Sequence, residues 1–161
     1  MRTFLLTTLC IVILAVSCKK KEDPPQPVPY ATFKLQGVQR TFNFYTQFTK
    51  DFCSSSTYCG KFLNKKEADS AAQLKFGIPG DPIVGHIYTT SEYRFSCYYL
   101  DENGVRYDLA TAPFNVVFSV WEGQGGWAKG TFSGWLRSAS NDSILFENGY
   151  FQNTIWTMGT R

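Results

Sequence analysis

Residues 114–137 read FNVVFSVWEGQGGWAKGTFSGWLR. Phe114, Val116, Phe118 and Val120 alternate with Asn115, Val117, Ser119 and Trp121. A period of two is the pattern of a strand, and β-branched and aromatic residues suit one. Five residues, Glu122–Gly126, separate this run from a second one, Trp127–Arg137, and their glycines permit a tight reversal. The two runs are therefore expected to pair as an antiparallel hairpin. In the second run Ala128, Gly130, Phe132, Gly134 and Leu136 share one parity. Trp127, Lys129, Thr131, Ser133, Trp135 and Arg137 share the other. Lysine and arginine make poor core residues, so the Phe132–Leu136 face is expected inward and the Trp135 face outward. Gly130 and Gly134 are expected to leave room for a large side chain from a facing sheet.

The same alternation recurs outward from this hairpin. Phe42, Phe44, Thr46 and Phe48 read as one face of a strand; so do Ala72, Leu74, Phe76 and Ile78, and Tyr93, Phe95, Cys97 and Tyr99. Ile83–Thr89 reads as a further strand. Pro79–Pro82, Asp101–Gly104 and Ser138–Asp142 supply turns between the runs. Only Lys65–Ala72 has helix-friendly composition, and it reads equally as a polar loop. Closely spaced strands with tight turns predict an all-β domain over residues 30–161, an antiparallel meander forming a β-sandwich or partly open barrel.

The chain before this domain reads as an address and a spacer. Residues 1–17, MRTFLLTTLCIVILAVS, carry one charge, Arg2, and an apolar run from Phe4 to Val16. That run is short for a membrane span and suits a cleaved secretory signal peptide. Leu14-Ala15-Val16-Ser17-Cys18 resembles the lipobox of bacterial lipoproteins, which implies acylation of the Cys18 thiol. Ala15 and Ser17 also suit an ordinary signal peptidase, which would leave a soluble secreted protein. Residues 18–29 hold Lys19–Lys21, Glu22, Asp23 and prolines at 24, 25, 27 and 29, an extended spacer between anchor and domain. The lysine and acidic run resembles the surface-export signal of Bacteroidota lipoproteins and reads equally as a solvated linker. The expected location is the outer membrane, lipid-anchored and exposed at the cell surface.

Composition narrows the function classes. The 161 residues are 43% hydrophobic, 17% aromatic and 18% charged, too apolar for a disordered chain. The formal charge of +3 falls to +2 once Arg2 leaves with the signal peptide. No nucleic-acid partner is expected from so small an excess. A single histidine, His86, argues against histidine-rich metal sites, and no metal or cofactor is expected. His86 reads as a hydrogen-bonded strand residue, because no Gly-x-Ser-x-Gly elbow or spaced Cys/His pair accompanies it. Glu92, Asp101, Glu102, Glu122 and Glu147 read as solvated turn and edge carboxylates rather than a glycosidase pair. The expectation is a protein that is not an enzyme.

Residues 130–136, GTFSGWL, followed by residues 144–151, ILFENGYF, resemble a pattern in small Bacteroidota lipoproteins of domain-of-unknown-function families. That pattern is Gly-x-Phe-Ser-Gly-x-Leu, then a strand ending in Asn-Gly-x-Phe. The resemblance implies a β-sandwich-like envelope lipoprotein and no activity. It also implies one bent strand with a bulge at Asn148-Gly149. Local rules read the same dipeptide as a two-residue hairpin, and the bent strand is the preferred reading.

Three cysteines remain in the mature domain. Cys53 and Cys59 flank a polar loop and are expected to form a disulfide in an oxidising compartment, worth roughly 2.4 kcal/mol by loop closure. Cys97 is expected as a buried thiol. Trp121, Trp127, Trp135 and Tyr98 are candidate ligand-binding residues, since exposed aromatics hold sugars and anchor interfaces. The alternative is that they pack in the core. The functional expectation is a non-catalytic binding or interaction module for a glycan or protein ligand, attached to the membrane by lipid. A purely structural envelope lipoprotein is the alternative, with a hydrolase the weakest reading.

Overall fold

The computed structural model describes residues 27–54, 57–67 and 69–157. The expected signal peptide, Cys18 and most of the expected spacer lie outside the described residues. Ten strands follow: β1 (Tyr30–Leu35), β2 (Val38–Phe42), β3 (Tyr45–Ser54), β4 (Thr57–Lys65), β5 (Gln73–Pro79), β6 (Ile87–Thr89), β7 (Ser96–Leu100), β8 (Arg106–Trp121), β9 (Trp127–Ser138) and β10 (Ser143–Thr157). The protein is all-β: there is no helix among the described residues, and so none long and apolar enough to cross a membrane.

The long hairpin forms as its sequence suggests, with β8 and β9 antiparallel from Tyr107↔Ser138 to Trp121↔Ala128. β10 pairs with the other edge of β9, giving a layer of three long strands. Opposite it, β3, β4, β5 and β7 form an antiparallel meander. The two layers join at diagonal corners. β7 pairs with the start of β8 (Tyr98↔Asp108), and β3 pairs with the end of β10 (Thr154↔Gln47). The result is one mixed sheet bent into a ring, between a sandwich and a partly open barrel. β1 and β2 extend β10 on its remaining edge, and β6 lines the far part of β8.

One pairing departs from the antiparallel meander: β10 and β3 run parallel. Parallel neighbours need a long connection, and here nearly the whole domain separates the two strands. Two local expectations also change, and two open alternatives are resolved. Of Lys65–Ala72, Lys65 ends β4 and the other described residues form a loop before β5, one of the two readings offered. Of Ile83–Thr89 only the last three residues form a strand, so His86 lies in the preceding turn. The run through Phe42 and Phe48 breaks at Asn43-Phe44, which leaves Phe44 exposed between β2 and β3 while Phe42 and Phe48 stay buried. At Asn148-Gly149 the strand continues: β10 passes through with a register shift between Phe146 and Gly149, and Asn148 holds φ +50°. Asparagine tolerates that left-handed conformation, so a bulge rather than a hairpin results.

Phenylalanine fills the ring. Among the described residues nine phenylalanines are fully buried. Phe62 sits at the centre, with ring centroids 4.4 Å from Phe48, 4.8 Å from Phe76, 4.9 Å from Phe118 and 5.3 Å from Phe151. Phe132 is 3% exposed and Leu136 fully buried, whereas Trp135 is 40% exposed, so β9 presents the faces its parity suggested. The room at Gly130 has a different owner from the one expected. A Cβ there would run into the Val117 carbonyl and the ring of Phe151 on the neighbouring strand β10, not a side chain of the facing layer. Gly134 is where β8 crosses close: a Cβ would meet the backbone of Pro113 and Phe114.

Candidate functional site

The candidate aromatics are not gathered in one place. Trp121 turns inward. A register shift between Phe118 and Val120 reverses the parity of β8, so Trp121 pairs with buried Ala128 and its ring meets Phe48 at 4.8 Å. Trp127 is half-buried and pairs with Thr154. Trp135 lies eight residues further along β9, roughly 27 Å at the rise of an extended strand. No continuous tryptophan strip exists. An exposed tryptophan that the sequence reading passed over, Trp156, lies near Trp127 and donates from Nε1 to Thr154 Oγ1 at 2.7 Å.

Tyr98 lies in a different setting. On β7, Cys97 and Tyr99 are buried, and Tyr98 points to the outer face. Two rows of side chains cross that face in register. Lys61, Gly77 and Ser96 form one, and Leu63, Lys75, Tyr98 and Asp108 the next. Gly77 leaves a dip, because a Cβ there would sit 2.7 Å from Ser96 Oγ. The dip widens into a groove of about 360 Å³, whose lining includes Lys61, Lys75, Arg94, Tyr98 and Arg106. Arg106 Cζ lies 4.5 Å and Lys75 Nζ 5.7 Å from the Tyr98 ring centroid, within cation–π range. Arg106 is gripped from its other side by Asp108, with Nε to both carboxylate oxygens at 2.9 Å and Nη2 to Oδ1 at 2.7 Å. That hydrogen bond pushes the guanidinium pKa further up, so Arg106 is a fixed charge. Arg94 enters from the turn before β7, holds φ +67°, and packs its guanidinium 4.8 Å from the ring of Tyr93. The sequence reading singled out Tyr98 as an aromatic but missed the four cations around it, because they come from three strands and a turn.

Four of the five carboxylates considered for catalysis, Glu92, Asp101, Glu102 and Glu122, have structural partners. Asp101 accepts from the backbone N–H of Asn103 and Val105, holding the β7–β8 turn. Glu102 pairs with Lys66 at 2.6 Å, and that hydrogen bond lowers its carboxyl pKa. Glu122 accepts from the Trp127 N–H at 2.9 Å and closes the glycine turn. His86 Nε2 meets Glu92 Oε1 at 2.7 Å beside the ring of Tyr88. Among the described residues no three His, Cys, Asp or Glu side chains gather as metal ligands.

Cys97 is a buried free thiol, and burial pushes its pKa well up, which makes it unreactive. The Cys53 and Cys59 side chains lie outside what the structure describes. Their backbones belong to the β3–β4 hairpin, where Asp51 pairs with Cys59 and Phe52 with Tyr58. Compared with protein-family models, curated proteins and solved structures, the chain matches none.

Proposed function

We propose that this chain is a non-catalytic binding module displayed on the cell envelope, anchored by lipid at Cys18 and held off the membrane by the proline-rich spacer. The observation that carries the reading is the Tyr98 groove, a recess on an outer sheet face with its charged side chains already held in place. Its volume falls within the ordinary range for small-ligand sites. The likeness of residues 130–151 to Bacteroidota lipoproteins supports the location and says nothing of a ligand. The Cys53–Cys59 disulfide belongs to the same reading, since it requires export. A glycan-array screen of the mature chain tests binding, and mass spectrometry of its N-terminus tests the anchor. An unmodified Cys18 would leave a secreted protein, and a blank array with no protein partner would leave no module. The dispersal of the tryptophans, with Trp121 packed on Phe48, favours a second reading, a purely structural envelope lipoprotein.

A further inference from the structure

We infer that the Tyr98 groove takes an acidic saccharide, a polymer carrying carboxylate or sulfate groups along its length. This rests on the reading of the groove as the binding site of an envelope module. Four cationic side chains, Lys61, Lys75, Arg94 and Arg106, line one recess. The domain as a whole is nearly neutral, so the local field comes from arrangement and not from composition. The two rows that carry Lys61 and Lys75 are two residues apart, roughly 7 Å along the strands. That spacing offers successive charges to an extended chain. Tyr98 serves mainly as a support: with Arg106 stacked on it, the ring holds the guanidinium at the mouth of the recess while leaving N–H groups for a ligand. Ser96 adds a hydroxyl, and Gly77 lets a ligand approach the sheet backbone.

The alternatives fit less well. A single-stranded nucleic acid is bound by stacking successive bases on several rings, whereas Tyr98 is the one aromatic among the described residues lining this recess. An acyl chain needs an apolar slot free of charge, and the residues lining this one include four cations. In the envelope, saccharides are the abundant polyanions.

The test uses the mature full-length chain and four probes: polygalacturonate, heparin, neutral dextran and a single-stranded oligonucleotide. Binding is followed by titration at about 50 and 250 mM salt. The expected result is binding of polygalacturonate, heparin or both, at least tenfold weaker at the higher salt, with dextran silent and the oligonucleotide at least tenfold weaker. Lys75→Gln combined with Arg94→Gln should weaken binding at least tenfold and leave the thermal melt unchanged. Tyr98→Ala should do the same by removing the ring on which Arg106 stacks. Should Tyr98→Ala melt early, the Lys75 and Arg94 double variant still decides the question. Binding of a neutral glycan that these variants abolish would overturn the acidic saccharide and keep the binding module. Acid-polymer binding that both variants leave intact would remove the groove as the site. Stronger binding of the oligonucleotide would replace the saccharide with nucleic acid. Silence of all four probes, with a hit elsewhere on a protein partner, would overturn the inference alone.

Discussion

Tyr98 and Tyr99 are neighbours on β7 and belong to different worlds. Tyr99 faces inward, stacked 6.4 Å from Phe42 and edge-on to Phe146 at 5.4 Å. Tyr98 faces outward among cations. The inner face is one continuous aromatic interior shared by both layers, so each side chain is held by several neighbours. The outer face is a mosaic assembled from three strands and a turn, and each contact there depends on register. The interior supplies stability, and whatever specificity the protein has must come from the mosaic.

The largest expected effect tests the two faces on a single strand. Phe132→Ala empties a buried ring site next to Phe33, Phe114 and Phe146. It should cost about 3–5 kcal/mol. Trp135→Ala, on the other face of β9, should cost under about 1 kcal/mol. Denaturant melts compare the two directly. A Trp135 loss as large as the Phe132 loss would mean that the outer face carries structure too, and the division between the faces would collapse.

The same division explains what could be read in the chain. Parity identified the inward residues of β9 and of the Phe114–Phe118 part of β8, because a strand half in water alternates strictly. It failed at Trp121, where one bulge between Phe118 and Val120 moved every later residue of β8 to the other face. It failed at Phe44, where two residues between β2 and β3 break the run. Both are events of one or two residues that leave the alternation nearly intact. The parallel closure of β10 on β3 and the gathering of Lys61, Lys75, Arg94 and Arg106 have no local signature at all. Lys75 could be placed outward from its own strand, but its neighbours across the sheet are set by register, and register is a property of several strands together.

An intermediate effect sharpens the tyrosine pair. Burial, and after it the nearby Asp101 carboxylate, pushes the Tyr99 hydroxyl up from 10.0 to about 12. The folded state therefore holds this proton more tightly than the unfolded chain does. Its contribution is complete below pH 10 and is lost as the pH rises toward 12. Two pKa units correspond to roughly 2.7 kcal/mol, an upper bound for this group. Tyr88, Tyr107 and Tyr150 are raised as well, so the useful quantity is a difference. Between pH 9 and about 11.5 the wild-type chain should lose more stability than Tyr99→Phe, as read by denaturant midpoints. Parallel losses in the two proteins would mean that Tyr99 is not closed off from solvent.

The smallest expected effect concerns the one place where the interior breaks its own rule. Thr46 on β3 pairs with Asn64 on β4, and Asn153 stands beside them on β10, one residue before the Thr154–Gln47 pair. Asn64 and Asn153 are fully buried and Thr46 is 7% exposed. Thr46 Oγ1 and both amide atoms of each asparagine lack a protein hydrogen-bond partner. Burying amides without partners costs free energy that an apolar side chain of similar shape does not. Asn64→Leu should therefore raise stability by about 1–2 kcal/mol, seen as a higher denaturant midpoint at an unchanged slope. The gain should be largest when Asn153 is replaced by leucine as well, because one leucine alone leaves the other amide facing a drier wall. A loss on the single substitution would show that the three side chains hold ordered water in solution, since displacing a well-bound water forfeits the hydrogen bonds it makes. The inner face would then resemble the outer one in a specific sense: at the corner where β10 meets β3, polar groups from three strands would act together as a site rather than as filling.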